Sequence, residues 1–254
     1  MRKFSISKKN AWSLILKINS CDFGNSKEIK IKENISGKDI SLIYDFKKNI
    51  IKSSNLALDD ELTSLFEIFL PIVCCKDKIQ YIGHIAQSLD GYIATNSGES
   101  KYISGRENLE HIHRLRAISD IIIVGANTYL EDKPRLTTRL VDGKNPKIYI
   151  FDPKKIINKN KITEDSQIFS DISSFKKNID TNNKIVYIEG GGKTISYFLD
   201  KKILDRIHVC LCPIILGGGR PSFIKNDVLD LNEMPSYKPV HHLMGKDVLF
   251  DIKI

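Results

Sequence analysis

The sequence predicts an α/β protein, a mixed sheet flanked by helices, preceded by a small N-terminal α+β appendage. Three observations predict it. From Ile79 onward, short apolar runs alternate with amphipathic segments, the order that builds a parallel sheet with helices across its faces. Residues 184–200 join an apolar run (185–188) through Gly190-Gly191-Gly192 to a segment with Ile195, Phe198 and Leu199 at helical spacing. Two strand-like runs around Gly245-Lys246 close the chain as a hairpin, which makes the sheet mixed.

The appendage covers residues 1–76. Trp12, Leu14, Ile15, Leu16 and Ile18 predict one helix, and residues 28–33, alternating Ile29 and Ile31 with charges, predict a strand. Leu58, Leu62, Leu65, Phe66 and Phe69 recur at helical spacing over 56–69. Asp59, Asp60 and Glu61 favour the first turn of that helix, and Pro71 limits it behind. This region carries no catalytic constellation.

In the larger domain, 77–254, residues 81–86 form the first strand. Ser104-Gly105-Arg106-Glu107 reads as a capping box, with Ser104 the cap and Glu107 reaching back. The helix it opens runs to about Ala117, with Leu109, Ile112 and Leu115 on its apolar side. Residues 120–124, ended by Gly125, read as a central buried strand. A further strand, 147–151, ends at Asp152-Pro153 before an exposed lysine- and asparagine-rich connection. Residues 206–212 form another strand up to Pro213, and Gly217-Gly218-Gly219 makes a second glycine turn.

The totals bound the function. A chain of 254 residues, 41% hydrophobic, builds a sizeable core. Its apolar runs fall short of the roughly 20 residues of a membrane span. Residues 12–18, broken by Ser13 and Lys17, do not read as a signal peptide, so a cytoplasmic protein with no membrane partner is expected. The five cysteines include adjacent Cys74-Cys75, and Cys210 and Cys212 two apart, without C-x-x-C or zinc spacing. Neither a disulfide framework nor a metal is expected. The net charge of +8 raises nucleic acid as a partner, but the lysines are scattered among Asn and Ile, as over 154–161, which is the pattern of a solvated surface. Anionic small molecules still benefit from that field.

Strand, glycines and helix together bring backbone N–H groups and a helix N-terminus up to a phosphate, so residues 184–200 are a candidate diphosphate turn. Glycines there also serve tight packing alone. Ser88-Leu89-Asp90-Gly91 follows the first strand as a turn. Gly125 and Asn127-Thr128 stand at the carboxyl end of a buried strand, where open α/β sheets bind ligands. Arg116 on its helix and Arg139 in a loop suit a phosphate-bearing substrate if one crevice gathers them. A surface ion pair and a free solvated charge are the plain alternatives. Three other patterns fail. Gly192-Lys193-Thr194 lacks the nucleoside-triphosphate loop's first glycine, where Tyr187 stands. His111 and His113 are two apart on a helix, a poor metal pair, and His241-His242 reads as half-buried filler. No H-x-E pairs with P-C-x-x-C, which excludes zinc-dependent deamination.

A resemblance rests on six short motifs in order: Ser88-Leu89-Asp90-Gly91, Ser97-Gly98-Glu99-Ser100, Leu115-Arg116-Ala117, the series Asp132, Pro134, Leu136-Thr137 and Arg139, then Glu189-Gly190-Gly191-Gly192, and Pro213-Ile214-Ile215-Leu216-Gly217. Over roughly residues 81–254 the chain resembles the pyrimidine reductases of riboflavin biosynthesis, which have the dihydrofolate-reductase-like fold. The resemblance implies NADPH-dependent reduction of the ribose of 5-amino-6-(5-phosphoribosylamino)uracil to the ribityl chain, by hydride transfer to C1′. It implies that Ala86, Tyr102, Thr128, Asp132 and the segment from Gly191 through Gly192, Lys193, Thr194 and Ile195 to Tyr197 bind NADPH. Ser100, Arg116, Leu136, Arg139 and Glu189 are implied substrate contacts, the arginines holding the 5-phosphate. Asp132 and Glu189 are the nearest candidates for a proton donor. A homodimer is usual for the family.

The chain departs from the family pattern at two positions. His84 stands where many relatives have lysine, and Pro153 where a serine follows the aspartate. Many bacterial relatives carry a zinc deaminase ahead of the reductase, and residues 1–76 hold none of its ligands. Two other functions compete: reduction of a related pterin or modified pyrimidine, and nucleic-acid binding without catalysis.

Overall fold

The computed structural model describes residues 3–21, 28–35, 37–45, 48, 50–101, 103–158, 162–163, 165–180, 184–225, 230, 232 and 235–254. The chain divides into two compact units, residues 1–79 and 80–254.

The first unit holds helices α1 (Lys8–Asn19) and α2 (Asp60–Val73) and an antiparallel sheet of β1 (Glu28–Ile35), β2 (Lys38–Asp45) and β3 (Ile50–Ser53) in that order. Ile29 and Ile31 are buried, as their alternation requires, and Ile40, Leu42 and Tyr44 bury the matching face of β2. Trp12 of α1 meets Phe69 of α2 edge to face, centroids 5.2 Å apart. Asp59 caps α2 by accepting from the Leu62 N–H at 2.8 Å. Pro71 does not stop this helix. It sits in the last turn, where one missing hydrogen bond is offset by the complete burial of Leu70, Ile72 and Val73.

The second unit is built on the strands β4 (Gln80–Ser88), β6 (Ile121–Gly125), β7 (Lys147–Phe151), β8 (Ser166–Phe169), β9 (Ile185–Gly190), β10 (Arg206–Cys212), β12 (Val240–Met244) and β13 (Asp247–Lys253). They form one eight-stranded sheet of order β12-β13-β10-β4-β9-β6-β7-β8. Strands β10, β4, β9, β6, β7 and β8 run parallel, and the β12–β13 hairpin, turning at Gly245 with φ +66°, is antiparallel to β10. A short ribbon pairs β5 (Tyr92–Ala94) with β11 (Arg220–Pro221). The helices are α3 (Arg106–Ile118), α4 (Ala126–Asp132), α5 (Ile172–Asn178) and α6 (Gly192–Asp200). No helix among the described residues is long and apolar enough to cross a membrane.

Adjacent residues of β4 show what covers each face. A Cβ at Gly83 would meet Ile195 of α6 at 3.2 Å, while His84 meets Asn108 of α3 on the other side, Nε2 to Oδ1 2.9 Å. Ile195 and Phe198 are fully buried under α6, each contributing about 2 kcal/mol by burial. The α3 face is polar. His111 and His208 lie 3.0 Å apart, Nε2 to Nδ1, and Arg206 pairs with Asp251.

Two expectations for α3 are corrected here. Ser104 is not its cap: the N-cap is Gly105, whose N–H donates to Asp247 at 2.6 Å, while Ser104 Oγ accepts from Asn108 Nδ2. Leu109 is 43% exposed, because Asn108, His111, Leu115 and Ile118 take the inward face. Of the two late histidines, His242 is buried and His241 exposed.

Candidate active site

The carboxyl ends of β6, β7 and β9 open onto a cleft of about 650 Å³. Gly125, Ala126, Asn127, Thr128 and Glu131 line one side, and Gly191, Gly192, Lys193, Thr194 and Tyr197 the floor. Phe151 to Lys154 and Gly219 to Pro221 complete the walls.

The floor is the glycine turn. Gly191 caps α6 without a side-chain hydrogen bond; the Thr194 N–H donates to Gly191 O at 2.9 Å, and among the described residues the Gly192 and Lys193 N–H groups are left without an internal acceptor. The Gly191 N–H itself donates to Thr128 Oγ1 at 3.2 Å, tying α4 to the turn. Bare backbone is required here. A Cβ at Gly192 would lie 2.4 Å from Pro221 O and 2.7 Å from Ser222 O, and one at Gly125 would lie 2.3 Å from Thr194 Oγ1. The peptide between Gly190 and Gly191 is cis. Lys154 and Lys193 add positive charge, Tyr197 stacks on Phe151 with centroids 4.6 Å apart, and Arg220 pairs with Glu131 at 2.6 Å. An anionic ligand with an extended diphosphate fits such a cradle.

Two residues before Gly191, Glu189 is gripped by Arg116. Nε donates to Oε2 at 2.7 Å and Nη2 to Oε1 at 2.6 Å, while Nη1 donates to Thr137 O at 2.9 Å. Burial opposes the Arg116 charge, but Glu189 outweighs it and the guanidinium pKa is raised. Arg139 is exposed close by, donating to Thr137 Oγ1 at 2.7 Å. Burial and the charges of Arg116 and Arg135 lower its pKa, so an anion between the arginines relieves their repulsion. The Arg139 N–H donates to His113 Nδ1 at 2.8 Å, which fixes the loop. The plain alternative for Arg116, an ion pair, is realised in buried form.

The remaining predicted residues are dispersed. Ala86 is half-buried on β4, and Ser100 is exposed in the loop before α3. Leu136 is buried in a left-handed backbone, φ +51°. Ile195 turns its side chain into the core, leaving only its main chain near the turn. Asp132 is exposed at the end of α4 outside the cleft lining, where Glu131 stands instead; burial and Glu131 raise its pKa. Tyr102 lies outside the described residues. The Asp90 turn is a clamp: Asp90 accepts from Ser88 Oγ at 2.6 Å and from the Leu216 and Gly217 N–H groups. His84 is a buried neutral imidazole, held down to about 3 by burial and by His208. Pro153 lines the cleft.

Sequence reasoning passed over Glu131, Arg220, Phe151 and Lys154. Helical spacing from Thr128 does not separate Glu131, three residues on, from Asp132, four residues on.

The fold and cleft define an open α/β protein with a cleft across the carboxyl ends of its strands. Residues 81–243 match the family described as the RibD C-terminal domain, and the chain belongs to that family. It is 30% identical over 167 residues to the 2,5-diamino-6-ribosylamino-4(3H)-pyrimidinone 5′-phosphate reductase of Methanothermobacter thermautotrophicus, covering 52% of this chain and 77% of that protein. It is 33% identical over 164 residues to the riboflavin biosynthesis protein RibD of Aquifex aeolicus, covering 53% of this chain and 46% of that one. The solved RibD of Acinetobacter baumannii shares the fold, with a TM-score of 0.62 at 22% identity over 76% of this chain and 62% of its own. The chain thus spans about half the length of the curated RibD proteins it matches. Its fold is the mixed-sheet, dihydrofolate-reductase-like one implied above.

Proposed function

We propose that residues 80–254 form an NADPH-dependent reductase that converts the ribose of 5-amino-6-(5-phosphoribosylamino)uracil to the ribityl chain. One observation carries the reading: the turn 189–192 has an arginine-held carboxylate at one end and a bare helix N-terminus in an anion-sized cleft at the other. Two reactants held on either side of one turn meet with little entropy left to lose. When bound, NADPH supplies the hydride.

The chain's own groups do the rest. The free N–H groups of α6 hold the diphosphate, and Lys154 and Lys193 hold the phosphate that distinguishes NADPH from NADH. Arg139 holds the substrate's 5-phosphate, and the two hydrogen bonds from Arg116 keep Glu189 oriented toward the sugar. Of the two candidate carboxylates, Glu189 on the turn relays the proton through water, and Asp132, outside the cleft lining, does not. The similarity to the Methanothermobacter reductase favours a second reading of the same site, in which the substrate still carries its 2-amino group.

Two subunits pair as a homodimer, an arrangement that would cover the edge strand β12 with its exposed Val240 and Leu243. The free cysteines suit the reducing cytoplasm. The test offers purified protein both pyrimidines and follows NADPH oxidation. Turnover of one or both is expected. A folded protein that binds NADPH and turns over neither substrate overturns the assignment, and sedimentation as a monomer overturns the dimer.

A further inference from the structure

On the α3 face of the sheet, β10 and β13 gather three metal-binding side chains. We propose that Cys210, Cys212 and Asp247 form a binding site for a zinc-class divalent ion. In a strand, residues two apart share a face, so both sulfurs of Cys210 and Cys212 point the same way. The antiparallel register, Leu211 against Val248, sets Asp247 beside Cys212. Ligand atoms of the three residues all lie within 4.8 Å of one another.

All three residues are fully buried, at 0% exposure. Asp247 Oδ2 accepts from the Gly105 N–H at 2.6 Å, but the buried Oδ1 makes no hydrogen bond. A buried carboxylate oxygen without a partner is costly, and a cation beside it removes the cost. Two thiolates and a carboxylate are a donor set that zinc accepts, leaving one position of its tetrahedron for water. Binding of a divalent ion forms two sulfur–metal bonds as two S–H bonds break, and both protons leave to solvent. The ion would tie β10 and β13 to the cap of α3 through Asp247 and Gly105. Zinc-motif spacing misses this set, because its ligands are a C-x-C pair and a carboxylate from another strand.

The experiment uses the full chain, stripped of metal and then loaded with Co²⁺ or Zn²⁺ before dialysis. About one ion per chain is expected, with the near-ultraviolet thiolate-to-cobalt band of two sulfur ligands. The Cys210→Ser/Cys212→Ser variant should lose the ion and the band. A companion variant, Cys21→Ser/Cys74→Ala/Cys75→Ser, should keep both, which decides the matter even if the first variant does not fold. Asp247→Asn, which retains an oxygen for the Gly105 N–H, should bind at least tenfold more weakly. The proposal is overturned if the wild type binds no ion, or if the companion variant loses the band while retaining its circular-dichroism spectrum. Those results would leave Cys210 and Cys212 as protonated thiols packed on a carboxylate.

Discussion

The Arg116 guanidinium holds the Glu189 carboxylate by two parallel hydrogen bonds, of 2.7 and 2.6 Å, two residues from the glycine that caps α6. Arg116 is 9% and Glu189 16% exposed in their side chains, so neither charge is well hydrated when its partner is removed. Arg116→Ala should therefore destabilise the protein by about 3–5 kcal/mol, the usual cost of stranding a buried charge. Urea denaturation measures it. Arg116→Lys should recover only part of the loss, since an ammonium cannot make the two-pronged contact.

Arg139 tests the substrate end of the site. It is exposed and bonded mainly to its own loop, so Arg139→Ala should leave stability within about 0.5 kcal/mol of wild type. KM for the phosphorylated substrate should rise about ten- to a hundredfold, the value of a lost charge-assisted contact, with NADPH affinity unchanged. Steady-state kinetics and a cofactor titration read the two together. Equal loss of both would make Arg139 a structural residue.

At the cofactor end, Gly192→Ala forces a methyl group to within 2.4 Å of a backbone carbonyl that cannot swing aside. Loss of at least tenfold in NADPH affinity is expected, with about 1–3 kcal/mol of stability. Lys154→Ala/Lys193→Ala should act differently. NADPH should bind about tenfold or more weakly and NADH nearly as before, so the preference narrows. Thermal shift with each nucleotide separates the two variants.

Burial, then the charges of Arg116 and Arg139, hold the His113 imidazole down to about 4 from its ordinary 6.5. Below pH 6.5 the unfolded chain takes up a proton that the folded chain refuses until about pH 4. The stability His113 contributes is complete above 6.5 and is lost as pH falls through that window. Protonation also removes the Nδ1 acceptor for the Arg139 N–H, so KM for the substrate should rise over the same range. Denaturation midpoints and kinetics at pH 7, 5.5 and 4.5 should show a smaller decline for His113→Asn than for wild type.

How much of this was legible depends on whether the signal was local. The glycine turn and the closing hairpin were, because a left-handed backbone selects glycine at Gly190, φ +116°, and Gly245, φ +66°. The capping box at Ser104 matched the local pattern and lost to a tertiary bond, since the Gly105 N–H is taken by Asp247, 142 residues away. Leu109 was misassigned because α3 spends its inward face on Asn108 and His111, which bond to β4 and β10. Strand β2 was missed although Ile40, Leu42 and Tyr44 alternate as a strand should. Helix α4 spans two turns, too little for periodicity to favour Glu131 over Asp132. The arginines were found by charge, but the grip of Arg116 on Glu189 joins α3 to β9 and exists only in the folded chain.

Where the hydride goes is the most direct test of the proposed reaction. NADPH deuterated at the transferred position, incubated with the full chain and the phosphoribosylaminopyrimidine, should deliver one deuterium to C1′ of the ribityl product, read by mass spectrometry. Product without the label, or no product from a folded protein that binds NADPH, would contradict it.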